Sequence, residues 1–349
     1  MKRRLALWGG VGIALLLISI VVSVSLGAAN LPLSEVWGVL LRQLPYIKRF
    51  VVADWADSTE QIILKVRLPR VILALLVGAC LSLAGAGFQG VLRNPLADPY
   101  TLGVSSGAAV GAAFIILFGL HTTLFGTWTI PIVAFITGLI SLLIVLRLAN
   151  VHGTFRLETI ILSGVVVSAF LGSLVSLMVS MSDQVVNEII FWLMGSLAFR
   201  GWSFIFVLSP YLGVGFVVLV YYSRALNLFA LGERQAAHLG VNIERTRFVV
   251  LIVSTLITAA AVSIVGTIGF VGLVAPHLVR LMVGPDYRML IPLSGIFGAI
   301  YVLWADTLAR NVLSPTEIPL GVVTSFLGAP FFAYLLRRNK QVTKGGSGS

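Results

Sequence analysis

Ten stretches of this chain, approximately 5–26, 68–90, 100–119, 130–148, 159–180, 203–222, 247–266, 270–283, 289–310 and 321–336, are apolar enough to lie in hydrocarbon. A bilayer core about 30 Å thick takes roughly 20 apolar residues to cross as a helix. Within that core every N–H and C=O must be bonded inside the chain, so segments of this kind fold as helices. Charged residues make up only 11% of the chain and hydrophobic ones 58%. A soluble domain carries roughly a quarter charged residues. The sequence therefore predicts an all-α polytopic membrane protein with about ten transmembrane helices, forming one membrane domain over residues 1–340. The first apolar run follows Lys2-Arg3-Arg4 and could be taken for a signal peptide. It is long for one, and Gly27-Ala28-Ala29 is a poor cleavage site, so it is read as a retained helix. Residues 341–349 are set apart as a tail, and Gly345-Gly346-Ser347-Gly348-Ser349 has the composition of an appended linker.

The net charge of +11 reflects topology and not a nucleic-acid partner. With the N-terminus inside, sixteen of the 24 basic residues fall on the inner side of the ten spans and eight on the outer. The positive-inside rule then places both termini in the cytoplasm. Cys80, the one cysteine, lies in the second span and reads as a small buried hydrophobe, so no disulfide forms within the chain. The long outer connection 27–66 predicts short surface helices. The outer run from Asn187 to Gly195, with Phe191 and Trp192, predicts an interfacial amphipathic helix.

The connection Gly87 to Gly107 interrupts the membrane pattern. Asn94-Pro95 and Asp98-Pro99 are turn signals, because each proline pushes its predecessor out of the α region. Asp98 is placed to cap the third span with Pro99 at its first position. Gly103 and Gly107, around Ser105 and Ser106, give that helix a face for close packing. This turn is predicted to shape packing at the inner face without touching cargo. The phrase Gly87-Phe88-Gln89-Gly90 is echoed at the outer side by Gly269-Phe270-Val271-Gly272, the pattern of an inverted repeat.

No catalytic machinery is present in the sequence. None of the five lysines follows a glycine, so there is no phosphate-binding loop. The four histidines, His121, His152, His238 and His277, lack metal-ligand spacing. Ion-coupled transport calls for ionisable groups in mid-membrane. All the acids but Asp306 fall in loops or at span ends, and Asp306 stands four residues before Arg310, an order that suits a local helical pair. Two other groups have two readings each. Arg67, Arg70 and Arg310 on the outer rim are either interfacial anchors or carboxylate-capturing docking groups. The inner segment Leu231, Gly232, Glu233, Ala236, Ala237, Leu239 and Gly240 is either a surface loop helix or a coupling helix that inserts into a partner.

Several phrases in order carry a resemblance: Arg67-Leu68-Pro69-Arg70, Asn94-Pro95-Leu96-Ala97-Asp98-Pro99, Leu102-Gly103-Val104-Ser105-Ser106-Gly107-Ala108, Leu231-Gly232-Glu233 with Leu239-Gly240-Val241, Gly269-Phe270-Val271-Gly272-Leu273-Val274-Ala275-Pro276-His277, and Glu317-Ile318-Pro319-Leu320-Gly321. From about Arg67 to Arg338 the chain resembles the permease subunits of ABC importers for iron–siderophore complexes, haem and cobalamin. The resemblance implies a ten-helix subunit of a bacterial cytoplasmic membrane that dimerises around a central pathway. It also implies two cytoplasmic ATPase subunits, which bind ATP and magnesium, and an external substrate-binding protein. Arg67, Arg70 and Arg310 match arginines that meet acidic residues of that binding protein. The helix near Gly232 to Gly240 matches the ATPase contact. The fifth and tenth spans match the pathway walls, offering Ser163, Ser168, Gly172 and Ser176 from one and Thr324, Ser325 and Gly328 from the other. No inner gate is assigned, because the link 153–159 lacks an alignable motif. The expected function is ATP-driven import of a ferric-siderophore complex by alternating access, with no cofactor or catalytic site in this chain. Cobalamin or haem is the alternative cargo; an ion-coupled transporter and a membrane scaffold are the competing classes.

Overall fold

The computed structural model describes residues 2–345 except 28, 30, 47, 121–124, 152, 153, 156 and 183. The first helix, α1 (Lys2–Ser25), is followed by the short α2 (Leu33–Arg42) and α3 (Asp57–Gln61) in the long connection where surface helices were expected. Val36 and Val39 of α2 are buried, so this segment packs onto the bundle. α3 runs through a π-turn at Ile62–Arg67 into α4 (Leu68–Leu92).

α4 is apolar on every side, and α9 (Trp202–Phe229), α11 (Ile243–Val265), α12 (Val271–Val283) and α13 (Tyr287–Asn311) enclose it. A helix hydrophobic all round belongs in the middle of its fold. Lipid tails are as apolar as leucine, so helices here associate through close packing and small residues. A Cβ at Gly78 would lie 2.2 Å from the Gly298 carbonyl oxygen, and one at Gly85 would lie 2.0 Å from that of Gly272. Glycine at these positions lets α13 and α12 touch α4 backbone to backbone.

Among the described residues, seven helical stretches are long and apolar enough to cross a membrane: Arg3–Ser25, Asp57–Leu92, Gly126–Ala149, Leu157–Ser180, Trp202–Phe229, Ile243–Val265 and Tyr287–Asn311. Three more apolar helices stand where spans were expected but are shorter: α5 (Val104–Leu117), α12, and the Leu320–Leu335 part of α14 (Leu320–Gly345). The 14 residues of α5 rise about 21 Å, short of a bilayer core. Asp98 does not cap this helix as expected. Its side chain caps a separate 3-10 turn, Pro99–Leu102, by accepting from the Tyr100 N–H at 3.0 Å. Gly103, at φ 74°, then redirects the chain before α5 begins. α12 likewise starts from a left-handed residue, Phe270 at φ 68°.

This pairing of short helices corrects the repeat read from the sequence. Gly87-Phe88-Gln89-Gly90 is regular helix within α4, whereas Gly269-Phe270-Val271-Gly272 spans the break that leads into α12. The shared letters serve different backbones. Further along, α6 (Thr129–Ala149) and α7 (Leu157–Ser180) are joined by a small hairpin of β1 (Asn150–Val151) and β2 (Thr154–Phe155). Residues 153 and 156 of the link 153–159, to which no gate was assigned, lie outside the described residues, as does 152. α8 (Val186–Met194) fulfils the expected short helix. α10 (Glu233–His238) occupies the polar connection before α11. α14 continues as helix to Gly345, so the tail expected from residue 341 begins as part of it; 346–349 lie outside the described residues.

α1 and α13 run parallel, joined by a 2.8 Å Ser23–Thr307 hydroxyl pair and a 3.0 Å bond from Trp304 Nε1 to Ser19 Oγ. The face where α1 begins and α14 ends is called proximal below, and the opposite face distal.

Candidate functional site

The leads into α5 and α12 meet. Tyr100 Oη donates to the Ile268 carbonyl at 2.7 Å and accepts from the Ile268 N–H at 3.1 Å. Against this junction lies a cavity of about 820 Å³. Tyr100, Ser105 and Ser106 contribute from the α5 side, Thr267 and Gly269 from the α12 side, Ser168 from α7 and Ser325 from α14. Leu193, Met194, Val322, Phe326, Ala329 and Pro330 complete an apolar wall. Apart from the Tyr100 phenol, no titratable side chain among the described residues lines this space. Among the described residues no cluster of histidine, cysteine, aspartate or glutamate could hold a metal ion. The wall offers scattered hydroxyls and much apolar surface, in a space of the size that holds small-molecule ligands.

Of the residues expected on the pathway walls, Ser168 and Ser325 line this cavity. The other expected wall residues do not line the cavity. Thr324 is buried, with its hydroxyl donating to the Gly321 carbonyl at 3.1 Å and its own carbonyl accepting from Tyr301. Gly328 packs against Phe270, where an added Cβ would fall 2.5 Å from the Phe270 Cβ. Ser163 is buried on α7. Gly172 and Ser176 lie on the open face of α7, where Ser176 donates to the Gly172 carbonyl.

The Asn94–Pro99 turn, expected to shape packing without touching cargo, contributes none of the lining residues and leads into the wall at Tyr100. Asn94 Oδ1 accepts from the Leu96 N–H at 2.9 Å, Asp98 holds the 3-10 turn, and Pro99 is buried beside Gly272. Burial pushes the Asp98 carboxyl up to about 6, against the pull of the Tyr100 N–H. Sequence reasoning missed Tyr100, Ser105, Ser106 and Thr267 as wall residues. The serine pair beside Gly103 was the available signal, but it was read as a packing face.

At the distal face the three arginines come together and turn inward. Arg70 forms a fork onto Asp306 (2.9 and 3.0 Å to Oδ1) and a second onto Glu317 (2.8 and 2.9 Å). Arg310 Nε reaches Asp306 Oδ2 at 3.1 Å, and its Nη2 donates to Ser23 Oγ at 3.1 Å. Arg67 donates to the carbonyls of Val24, Ser25 and Ala29 at the end of α1. All three arginines are buried and Asp306 is 0% exposed. The expected local pair of Asp306 and Arg310 is thus one edge of a cluster joining α1, α4, α13 and the segment before α14.

At the proximal face, Gly232 precedes α10 at φ 107° and Gly240 closes it at φ 85°. Leu231, Ala237 and Leu239 are exposed, whereas Ala236 is buried against the bundle, so the expected small-residue surface lacks Ala236. Glu233 Oε1 accepts from Arg93 Nη2 at 3.1 Å and from Arg247 Nη2 at 2.7 Å.

Comparison with known proteins fits this architecture. The model of the FecCD transport family matches residues 15–338. The uncharacterised ABC transporter permease protein YvrB of Bacillus subtilis (strain 168) is 42% identical over 331 residues, covering 94% of this chain and 92% of that protein. The cobalamin import system permease protein BtuC of Halobacterium salinarum is 43% identical over 283 residues, 80% of this chain and 74% of that protein. A solved inward-facing conformation of a putative metal-chelate type ABC transporter superposes with a TM-score of 0.80 at 33% identity, covering 95% of this chain and 99% of that one.

Proposed function

Since the chain belongs to the FecCD transport family, we propose that it is the permease subunit of a binding-protein-dependent ABC importer for metal chelates. The observation that carries this reading is the charge-free cavity beside the junction of two short helices. It gives a large solute room without a site that would trap it. Cargo selection then falls to the external binding protein, and the energy to two ATPase subunits that bind ATP and magnesium. A ferric-siderophore complex is the first-ranked cargo. Cobalamin is the second, on the likeness to the cobalamin permease.

In this reading the membrane is a bacterial inner membrane, and the excess of basic residues on the proximal side supports that face as the cytoplasmic one. There the exposed Leu231, Ala237 and Leu239 of the α10 region meet the ATPase. The broad exposed faces of α7 and α14 suit a second permease subunit, identical or not, and lipid. The distal face receives the binding protein. Docking through Arg70 then requires a partner carboxylate to take the place of Glu317, the outermost member of the cluster. ATP-driven closure of the ATPase pair moves α10, and the cavity opens alternately to either side.

Filling the cavity tests the reading. Ser105→Trp and Ser325→Trp each place an indole where the solute would pass, so uptake by the assembled transporter should fall at least about tenfold while ATP hydrolysis continues. Unimpaired uptake by both variants contradicts the assignment of this cavity as the route.

A further inference from the structure

We propose that Glu233 is the positioning residue through which movement of α10 reaches the cavity wall by two routes at once. The proposal rests on the reading of α10 as the ATPase contact and names the connection that makes that contact useful. Both arginines converge on one oxygen, Glu233 Oε1. Each arginine opens a separate route to the same place.

Arg93 ends α4 in the left-handed conformation, φ 48°. From it runs a turn with little slack. Leu96 N–H is held by Asn94 Oδ1, Ala97 N–H by the Asn94 carbonyl, and Thr101 by the Asp98 carbonyl through both its N–H and its hydroxyl. That turn delivers Tyr100. Arg247 is the fifth residue of α11, which continues unbroken to Val265, three residues before Ile268. The routes rejoin where Tyr100 and Ile268 share two hydrogen bonds beside the cavity. The carboxylate at one end and the phenol at the other close a loop through α4's end, the turn, α11 and α10.

An ordinary surface ion pair contributes 0–1 kcal/mol and transmits little. The Arg93 side chain, 40% exposed, forms a pair of that kind and adds only a second tether, whereas the Arg247 side chain is only 7% exposed. A pair on a desolvated guanidinium is screened much less by solvent and salt than an exposed one, which strengthens its hold on the carboxylate. α10 has only six residues, and Glu233 supplies its only ion pairs among the described residues. Coupling between distant sites travels through connected rigid elements of this kind.

Hydrogen exchange on the purified permease separates this proposal from the ATPase reading. In Glu233→Ala, exchange should rise about tenfold both in α10 and in the backbone of residues 94–102. A rise confined to α10 overturns the proposal, whether or not α10 meets an ATPase. Should that variant fail to accumulate, Arg93→Gln carries the same test. Residues 94–102 then exchange faster while α10 stays protected through Arg247, and Arg93→Lys restores protection. No change at 94–102 in Arg93→Gln overturns the first route. In the assembled transporter, Arg93→Gln should lower solute moved per ATP hydrolysed severalfold at unchanged hydrolysis. If exchange changes as expected but that ratio does not, the connection stands and the ATPase contact at α10 is the part refuted.

Discussion

Asp306 shows most plainly how a single residue organises the distal face. Its carboxylate is fully buried between the guanidiniums of Arg70 and Arg310. Removing one partner from a buried ionic group typically costs about 3–5 kcal/mol, far more than an exposed pair. Asp306→Asn should therefore destabilise the permease by an amount in that range, whereas Glu317→Gln, at the cluster's partly exposed edge, should cost about 1 kcal/mol or less. Thermal unfolding in detergent compares the two, and equal losses would refute the burial argument. The sequence showed Arg310 four residues after Asp306, because helical spacing is local information. It could not show Arg70, which lies 236 positions away from Asp306. Without that partner the arginines looked free to meet another protein.

The elements divide into those that touch backbone to backbone and those that face open space. α4 approaches α12 through Gly85, while Gly172 of α7 has no atom within 4 Å of a would-be Cβ. Gly85→Ala must push α12 away and should destabilise the protein by about 1–3 kcal/mol or prevent accumulation. Gly172→Ala should be neutral or stabilising by up to about 1 kcal/mol, because alanine is the better helix former. A fluorescence-detected melting series checks both, and a harmless Gly85→Ala would contradict the packing described. The breaks before α5 and α12 were unequally legible. Asn94-Pro95 and Asp98-Pro99 announce the first one chemically, although the separate 3-10 turn was not foreseen. The second depends on Phe270 at positive φ, which no residue preference signals. The junction of Tyr100 with Ile268 spans 168 positions and leaves no local trace.

At the scale of the whole molecule the apolar runs specified most of the architecture. Each of the ten expected spans corresponds to an apolar helix, because hydrocarbon leaves the backbone no other option. Three of those helices are too short to qualify alone, and two of the three flank the cavity. Hydropathy gives position but not completeness, so the half-length helices were read as full ones. The central claim is that this chain provides a passage and none of the energy. Uptake by proteoliposomes tests it most directly. Vesicles carrying the permease with its ATPase subunits and binding protein should accumulate a ferric-siderophore complex only when ATP is supplied, and vesicles with the permease alone should accumulate none. Uptake by the isolated permease, driven by a proton or sodium gradient, would contradict the account.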